Sequence, residues 1–144
     1  MSEKTTKPYN IREKAEKNAH YRSLIRAEFA DELYEKILAL IVIEKRYRDK
    51  DFSAKVLAKE LNTNTRYISA VINSRFKTNF SCLLNEYRIK EALHYMTDKR
   101  YSDLTIEKIG TAVGFANRQS FYSSFYRIMG ETPNGYRKRQ LTIK

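Results

Sequence analysis

Among these 144 residues cysteine occurs once, tryptophan never, proline and histidine twice each, and glycine four times. Each scarcity excludes something. The lone Cys82 cannot close an internal disulfide, which rules out a disulfide-stapled secreted scaffold and fits a reducing cytoplasm. The two histidines, His20 and His94, stand far apart with one distant cysteine, so neither a zinc set nor a Cys-His nucleophile pair has a workable spacing. Neither a Gly-rich phosphate loop nor a G-x-S-x-G turn occurs. No catalytic residue, metal or cofactor is expected, and the chain is not read as an enzyme. The longest unbroken apolar run, Ile37 to Ile43, is seven residues, where a membrane span needs about 20. The opening MSEKTTKPYNIREK has no apolar segment behind its charges, unlike a secretory signal. With so little glycine and proline, and few runs that alternate apolar and polar, the expected fold is all-α.

What is abundant is positive charge. Lysine and arginine number 28 against 17 acids, for a formal +11. At 42% hydrophobic the chain can bury a real core, so wholesale disorder is not expected. An excess of this size on a small domain implies an anionic partner, most often nucleic acid. The excess is uneven: residues 1–48 carry +3 and residues 49–144 carry +8. Within the second stretch, 64–77 holds Arg66, Arg75 and Lys77 with no acid, and 117–130 holds Arg118 and Arg127 with no acid.

Residues 1–12 read as a polar tail. Leu24, Ile25, Phe29, Leu33, Ile37, Leu40 and Ile41 then form the stripe of one amphipathic helix, predicted to run from about residue 20 to Tyr47. Ser53 is placed to cap a short helix bearing Val56, Leu57, Ala58 and Leu61. After a turn at Asn62-Thr63-Asn64, Thr65 starts a helix with Ile68, Val71, Ile72 and Phe76 on one side. A longer helix is predicted over 80–97, about 27 Å at 1.5 Å per residue. The short helix, turn, helix order then recurs: Thr105 to Val113, a turn over 114–117, and Arg118 to Met129. Pro133 opens a final helix to about Gln140.

A helix-turn-helix needs a small residue where its helices approach, a turn residue that tolerates positive φ, and apolar locks between the two. Ala58, Asn62 and the set Leu57, Leu61, Ile68 and Val71 supply these in the first unit. Gly110, Gly114 and the set Ile109, Val113, Phe121 and Phe125 supply them in the second. Ile68, Ile72, Phe76 and Phe80 align with Phe121, Phe125, Met129 and Pro133 at one constant offset, a weak internal duplication. If Ile68 and Ile72 face inward, a 100° step places Arg66, Ser69, Ala70, Asn73 and Lys77 outward. Gln119, Tyr122, Ser123 and Tyr126 form the matching outward set. Such side chains suit base edges, arginine for guanine and asparagine or glutamine for adenine. A connecting helix over 80–97 suits two readers placed near the ~34 Å repeat of successive major grooves.

The run AKVLAKELNTNTRYISAVIN, then FSCLLNEYRIKEALHYM, then LTIEKIGTAVGFANRQSFYSSFYRIMGETPNGYR resembles the AraC/XylS-type DNA-binding domain over about residues 34–139. Its most specific part is GF-x-N-x-x-S-F-x-x-x-F followed by G-x-T-P-x-x-Y-R, from Gly114 through Arg137, supported by N-E-Y-R-I-x-E-A at 85–92. The resemblance implies a bacterial transcription regulator of the cytoplasm and nucleoid, which contacts promoter DNA and often RNA polymerase. By position it assigns Arg66 and Ala70, then Gln119 and Ser123, as the main base-facing residues. Ala70 and Ser123 depart from the family, which commonly has arginine there. Each departure forgoes a bidentate guanine contact, typically about 1–3 kcal/mol of discrimination. Affinity is therefore expected to lean on phosphates and DNA shape. The phosphate candidates are the helix starts near Thr65, Thr105 and Arg118, with Lys77, Arg127, Arg137 and Lys138.

These readings divide the chain into a polar tail and helical extension (1–33), a first helix-turn-helix unit with the connecting helix (34–97) and a second unit (98–144). Residues 1–33 are too short for the sensor pocket the family often adds. They read either as a solvated tail that lengthens the first helix, or as a homodimer contact or linker from a longer regulator. The alternative to a double-stranded DNA regulator is a helical module that docks on an acidic protein, with DNA affinity incidental to its charge.

Overall fold

The structure is a computed structural model that describes residues 26–143; Leu24 and Ile25 of the predicted stripe, and the polar tail, lie outside the described residues. Among the described residues the chain is helical without a strand, and no helix is long and apolar enough to cross a membrane.

The first helix, α1, covers residues 26–38 and widens into a π-helical turn at Ala39–Ile43. It ends short of the expected Tyr47. Leu33, Ile37 and Ile41 are buried at steps of four, but the next inward positions on a continued helix, Glu44, Lys45 and Arg48, are charged. The chain instead leaves the helix through Lys45 at φ 52° and makes a 3₁₀ turn at Arg46–Arg48, which turns Tyr47 into the core. Val42 and Ile43, the last apolar residues of the run, stay exposed.

Five short-range caps set the helix starts that follow. Ser53 accepts from the Val56 amide at 3.2 Å and starts α2, Ala54–Glu60. Asn64 accepts from Tyr67 at 3.0 Å and starts α3, Thr65–Val71, which continues as a π-helical turn, Ile72–Phe76. Asn79 accepts from Cys82 at 2.8 Å before α4, Phe80–Thr97. Thr105 and Asn117 do the same for α5, Ile106–Val113, and α6, Arg118–Met129, at 3.1 and 2.8 Å. Each cap satisfies an amide that helix geometry leaves unpaired. The last helix, α7, Pro133–Ile143, runs past the expected Gln140.

The core forms two clusters that share α4. Its Leu83 and Leu84 pack into the first, with α1, α2 and α3, while Ile89, Ala92 and Met96 pack into the second, with α5 and α6. The duplicated positions match in burial where it matters: Ile68 and Phe121, then Ile72 and Phe125, are fully buried. Cys82 is half-buried, one helical step from the inward Leu83. His94 is on the surface of α4, 3.7 Å from Asp98.

Candidate nucleic-acid interface

Both turn residues adopt the left-handed conformation that the spacing predicts. Asn62 has φ 54° and Gly114 has φ 115°. Ala58 is buried where α2 meets α3. At Gly110 a Cβ would lie 2.5 Å from Cδ2 of Phe121, so α5 and α6 approach as closely as a glycine allows. With Ile68 and Val71 locked inward on α3 and Phe121 and Phe125 on α6, the opposite face of each helix is turned out.

On α3 that outer face exposes Arg66, Ser69 and Ala70. Asn73 is exposed too, but it lies in the π-helical turn, whose wider winding breaks the 100° step that relates it to Arg66. Lys77 is not on the helix face at all: it is the left-handed residue after the turn, at φ 59°. On α6, Gln119, Ser123 and Tyr126 are exposed. Tyr122 differs from expectation. It is half-buried against the second cluster, its hydroxyl accepts from Nδ2 of Asn134 at 3.2 Å, and the Arg118 guanidinium lies 4.7 Å from its ring centroid. It packs α6 onto α7.

Gln119, Ser120 and Ser123 border a polar groove whose other walls include Lys50, Ser81 and Asn85. The sequence pattern carries no sign of those last three as neighbours of α6, because they come from the loop before α2 and from the start of α4.

The phosphate candidates divide by what holds them. Thr65 and Thr105 are exposed, Thr65 in the first turn of α3 and Thr105 as the cap of α5. Lys77, Arg127 and Lys138 are exposed. Arg118 is exposed but has Glu107 at 3.7 Å. Arg137 has a different role from the one expected. Its guanidinium donates to the carbonyls of Leu104, Tyr101 (3.1 Å) and Ser102 (3.2 Å), tying α7 to the loop before α5. Arg75, from the acid-free stretch 64–77 and in the π-helical turn after α3, ion-pairs with Asp31 of α1 and lies over the Tyr34 ring. Stretches free of acid along the chain are thus not free of acid in space.

The 45–49 segment meets α4 in a denser arrangement. Arg88 is buried, and burial lowers its pKa, with the Asp49 charge acting against that. Its Nε donates to the Tyr47 carbonyl at 2.6 Å, Nη2 to the Asp49 carbonyl at 3.2 Å, and Nη1 to Oδ1 of Asn85 at 3.3 Å. One turn on, Glu91 takes Nε of Arg48 at 2.8 Å and has Nζ of Lys45 at 3.6 Å. Burial opposes ionisation of Glu91, but Arg48, with Lys45, holds its carboxyl below the usual range. Burial, reinforced by the Glu91 charge, pushes the Tyr47 phenol up to about 12.

Residues 57–139, more than half of the chain, match a family described as a helix-turn-helix domain, in its AraC-type form. The chain belongs to the AraC-type helix-turn-helix family. A curated relative is the uncharacterized HTH-type transcriptional regulator YtdP of Bacillus subtilis, 23% identical over 95 residues, or 66% of this chain but only 12% of that protein. Solved structures agree in fold. The C-terminal domain of the two-component response regulator yesN from Fusobacterium nucleatum is 28% identical, covering 75% of this chain and 97% of that one, with a TM-score of 0.62. The C-terminal domain of AraT, a response regulator from Geobacillus stearothermophilus, is 24% identical, covering 76% and 84%, with a TM-score of 0.64.

An AraC-type domain is a DNA-binding module of transcription regulators, and its partner is double-stranded DNA. The outer faces of α3 and α6 are polar and exposed. Arg66 and Gln119 on those faces can each form two hydrogen bonds at once, and the side chains at 70 and 123 are small.

Proposed function

We propose that this chain binds promoter DNA selectively and regulates transcription by placing α3 and α6 in two successive major grooves. The observation that carries this reading is the pairing of two helices whose apolar sides are locked into separate clusters on one shared helix, α4, while their outer sides are polar and exposed. Arg66, Ser69, Ala70 and Asn73 of the first unit (34–97), and Gln119, Ser123 and Tyr126 of the second (98–144), face the bases. The α3 and α6 starts at Thr65 and Arg118, the α5 cap at Thr105, and Lys77, Arg127 and Lys138 meet phosphates. Contact with RNA polymerase belongs to the same reading. A homodimer would use the part of the N-terminal helix before Leu33, since Leu33, Ile37 and Ile41 are enclosed in this chain's own core.

Titration of the chain against a duplex selected from random DNA, and against its scrambled counterpart, at two salt concentrations tests the proposal. The selected duplex is expected to bind tighter at both, with a steep salt dependence on each. Equal affinities at every salt would sink selective reading and leave a charge-driven module.

A further inference from the structure

The two units touch directly as well as through α4. One element of the first unit that reaches the second is the Arg46–Arg48 turn, which packs on both α4 and α5. Its backbone lies where a side chain on residue 114 would be: a Cβ there would come within 2.2 Å of the Tyr47 carbonyl oxygen and 2.9 Å of Cα of Arg48. The same turn position in the first unit carries a side chain, Asn62, so a helix-turn-helix turn can be built here without glycine. The close approach of the first unit, together with the φ of 115°, is what leaves no room for one at 114.

Arg88 completes this contact from α4. Its three donors end on Tyr47, Asp49 and Asn85, and its guanidinium lies 5.7 Å from the ring centroid of Phe115, the buried residue that follows Gly114. One planar cation therefore grips the loop of the first unit on one side and lies against the turn of the second on the other. A guanidinium can serve several acceptors at once in fixed directions, which a lysine cannot. Glu91 holds the same turn through Arg48 and Lys45.

We infer that Arg88, Gly114 and the Arg46–Arg48 turn form a brace that fixes the orientation of α6 relative to α3, and so sets the spacing and helical phase of the two half-sites the chain accepts. Arg88 is a positioning residue in this scheme, since it acts on DNA through the two units it joins. The inference rests on the two-groove reading above. Each base pair added between half-sites turns the second by about 34° and moves it about 3.4 Å. A rigid pair cannot follow such a change, whereas a loosened pair follows it at the cost of a lower effective concentration of the second reader.

The test uses the full chain and a pool of random duplexes longer than two helical turns, roughly 21 base pairs. From the duplex selected by the parent, a spacer series and a single half-site duplex are made, and binding is measured for the parent, Arg88→Met and Glu91→Gln. The parent is expected to lose roughly tenfold or more for a one-base-pair change, within the range that linked engagement supplies. Arg88→Met should bind the best spacing roughly tenfold more weakly, show a flattened spacer profile, and bind the single half-site like the parent. If Arg88→Met does not fold, Glu91→Gln, which loosens the turn without opening the core, decides by a smaller flattening in the same direction. A folded variant with the parent's narrow profile overturns the brace alone. Selection of no two-part site by the parent overturns the two-groove reading, and the brace with it.

Discussion

At the scale of single residues, the closest contacts and the small side chains have the sharpest consequences. Gly110 lets α5 lie on Phe121 with no space for a Cβ, which would meet Cδ2 at 2.5 Å and Cγ at 2.9 Å. Overpacking of this kind costs about 1–3 kcal/mol, so Gly110→Ala is expected to lower the urea midpoint; an unchanged midpoint would show that the ring moves aside freely. Ser123 is exposed on the outer face of α6, and Ser123→Arg restores a side chain able to read guanine. It is expected to add about 1–3 kcal/mol of preference for guanine at one position, visible as a new fixed base in selected duplexes. Asp98 supplies a pH signature. The Arg100 side chain first, and its backbone amide second, hold the Asp98 carboxyl down at about 2. An unfolded chain protonates this group near ~3.9, so the folded state gains stability above that pH and loses it as pH falls through about 2. The melting temperature should therefore fall more steeply between those two pH values in the parent than in Asp98→Asn. Matching slopes would mean that the carboxylate contributes nothing there.

At the scale of elements, α3 and α6 each depend on their first turn and on what lies beside them. Asn117 caps α6 two residues before Gln119. Asn117→Ala is expected to cost about 1 kcal/mol and to speed hydrogen exchange at the Ser120 amide; equal exchange would show that water replaces the cap without loss. α1 lies along α3 through the Phe29 and Tyr67 rings, 5.6 Å apart, and the Asp31–Arg75 pair. That pair is largely exposed, so it adds only about 0–1 kcal/mol to stability. On the proposed two-groove reading it competes with phosphate for the Arg75 cation. Asp31→Asn should raise affinity for random duplex and steepen the salt slope by up to about 0.9, and an unchanged slope would place Arg75 away from the DNA.

At the scale of the whole molecule, an excess of +11 is divided between structure and partner. Arg88 and Arg137 are held by backbone carbonyls, Arg48 by Glu91 and Arg75 by Asp31, which leaves exposed cations such as Arg66, Lys77 and Arg127 for an anionic partner. Lys77→Ala or Arg127→Ala is therefore expected to weaken binding to all duplexes alike and to reduce the salt slope by about 0.9 each. Gln119→Ala should change which sequences are selected and leave the slope alone. The opposite assignment of effects would exchange the roles given to these residues.

Much of this was legible along the chain, because the forces behind it act over a few residues. A cap at Ser53, the three-to-four spacing of Ile68 and Ile72, and the small residues at 58 and 110 determine by themselves an all-α chain with two helix-turn-helix units, while the caps before α3, α4, α5 and α6 came to light only in the structure. The span of α4, residues 80–97, follows from the same local pattern. Only the tertiary structure decided which charges remain available and how the two units meet. Arg75 and Arg118 stand in acid-free sequence, yet Asp31 and Glu107 reach them from other helices. Arg137 ends a motif that suggested DNA and instead ties down a loop. The grip of Arg88 on Tyr47, across 41 positions, has no local signature. Hydrogen bonds between near neighbours and helical periodicity are written in the order of residues, whereas the partner of a long charged side chain depends on where distant segments pack.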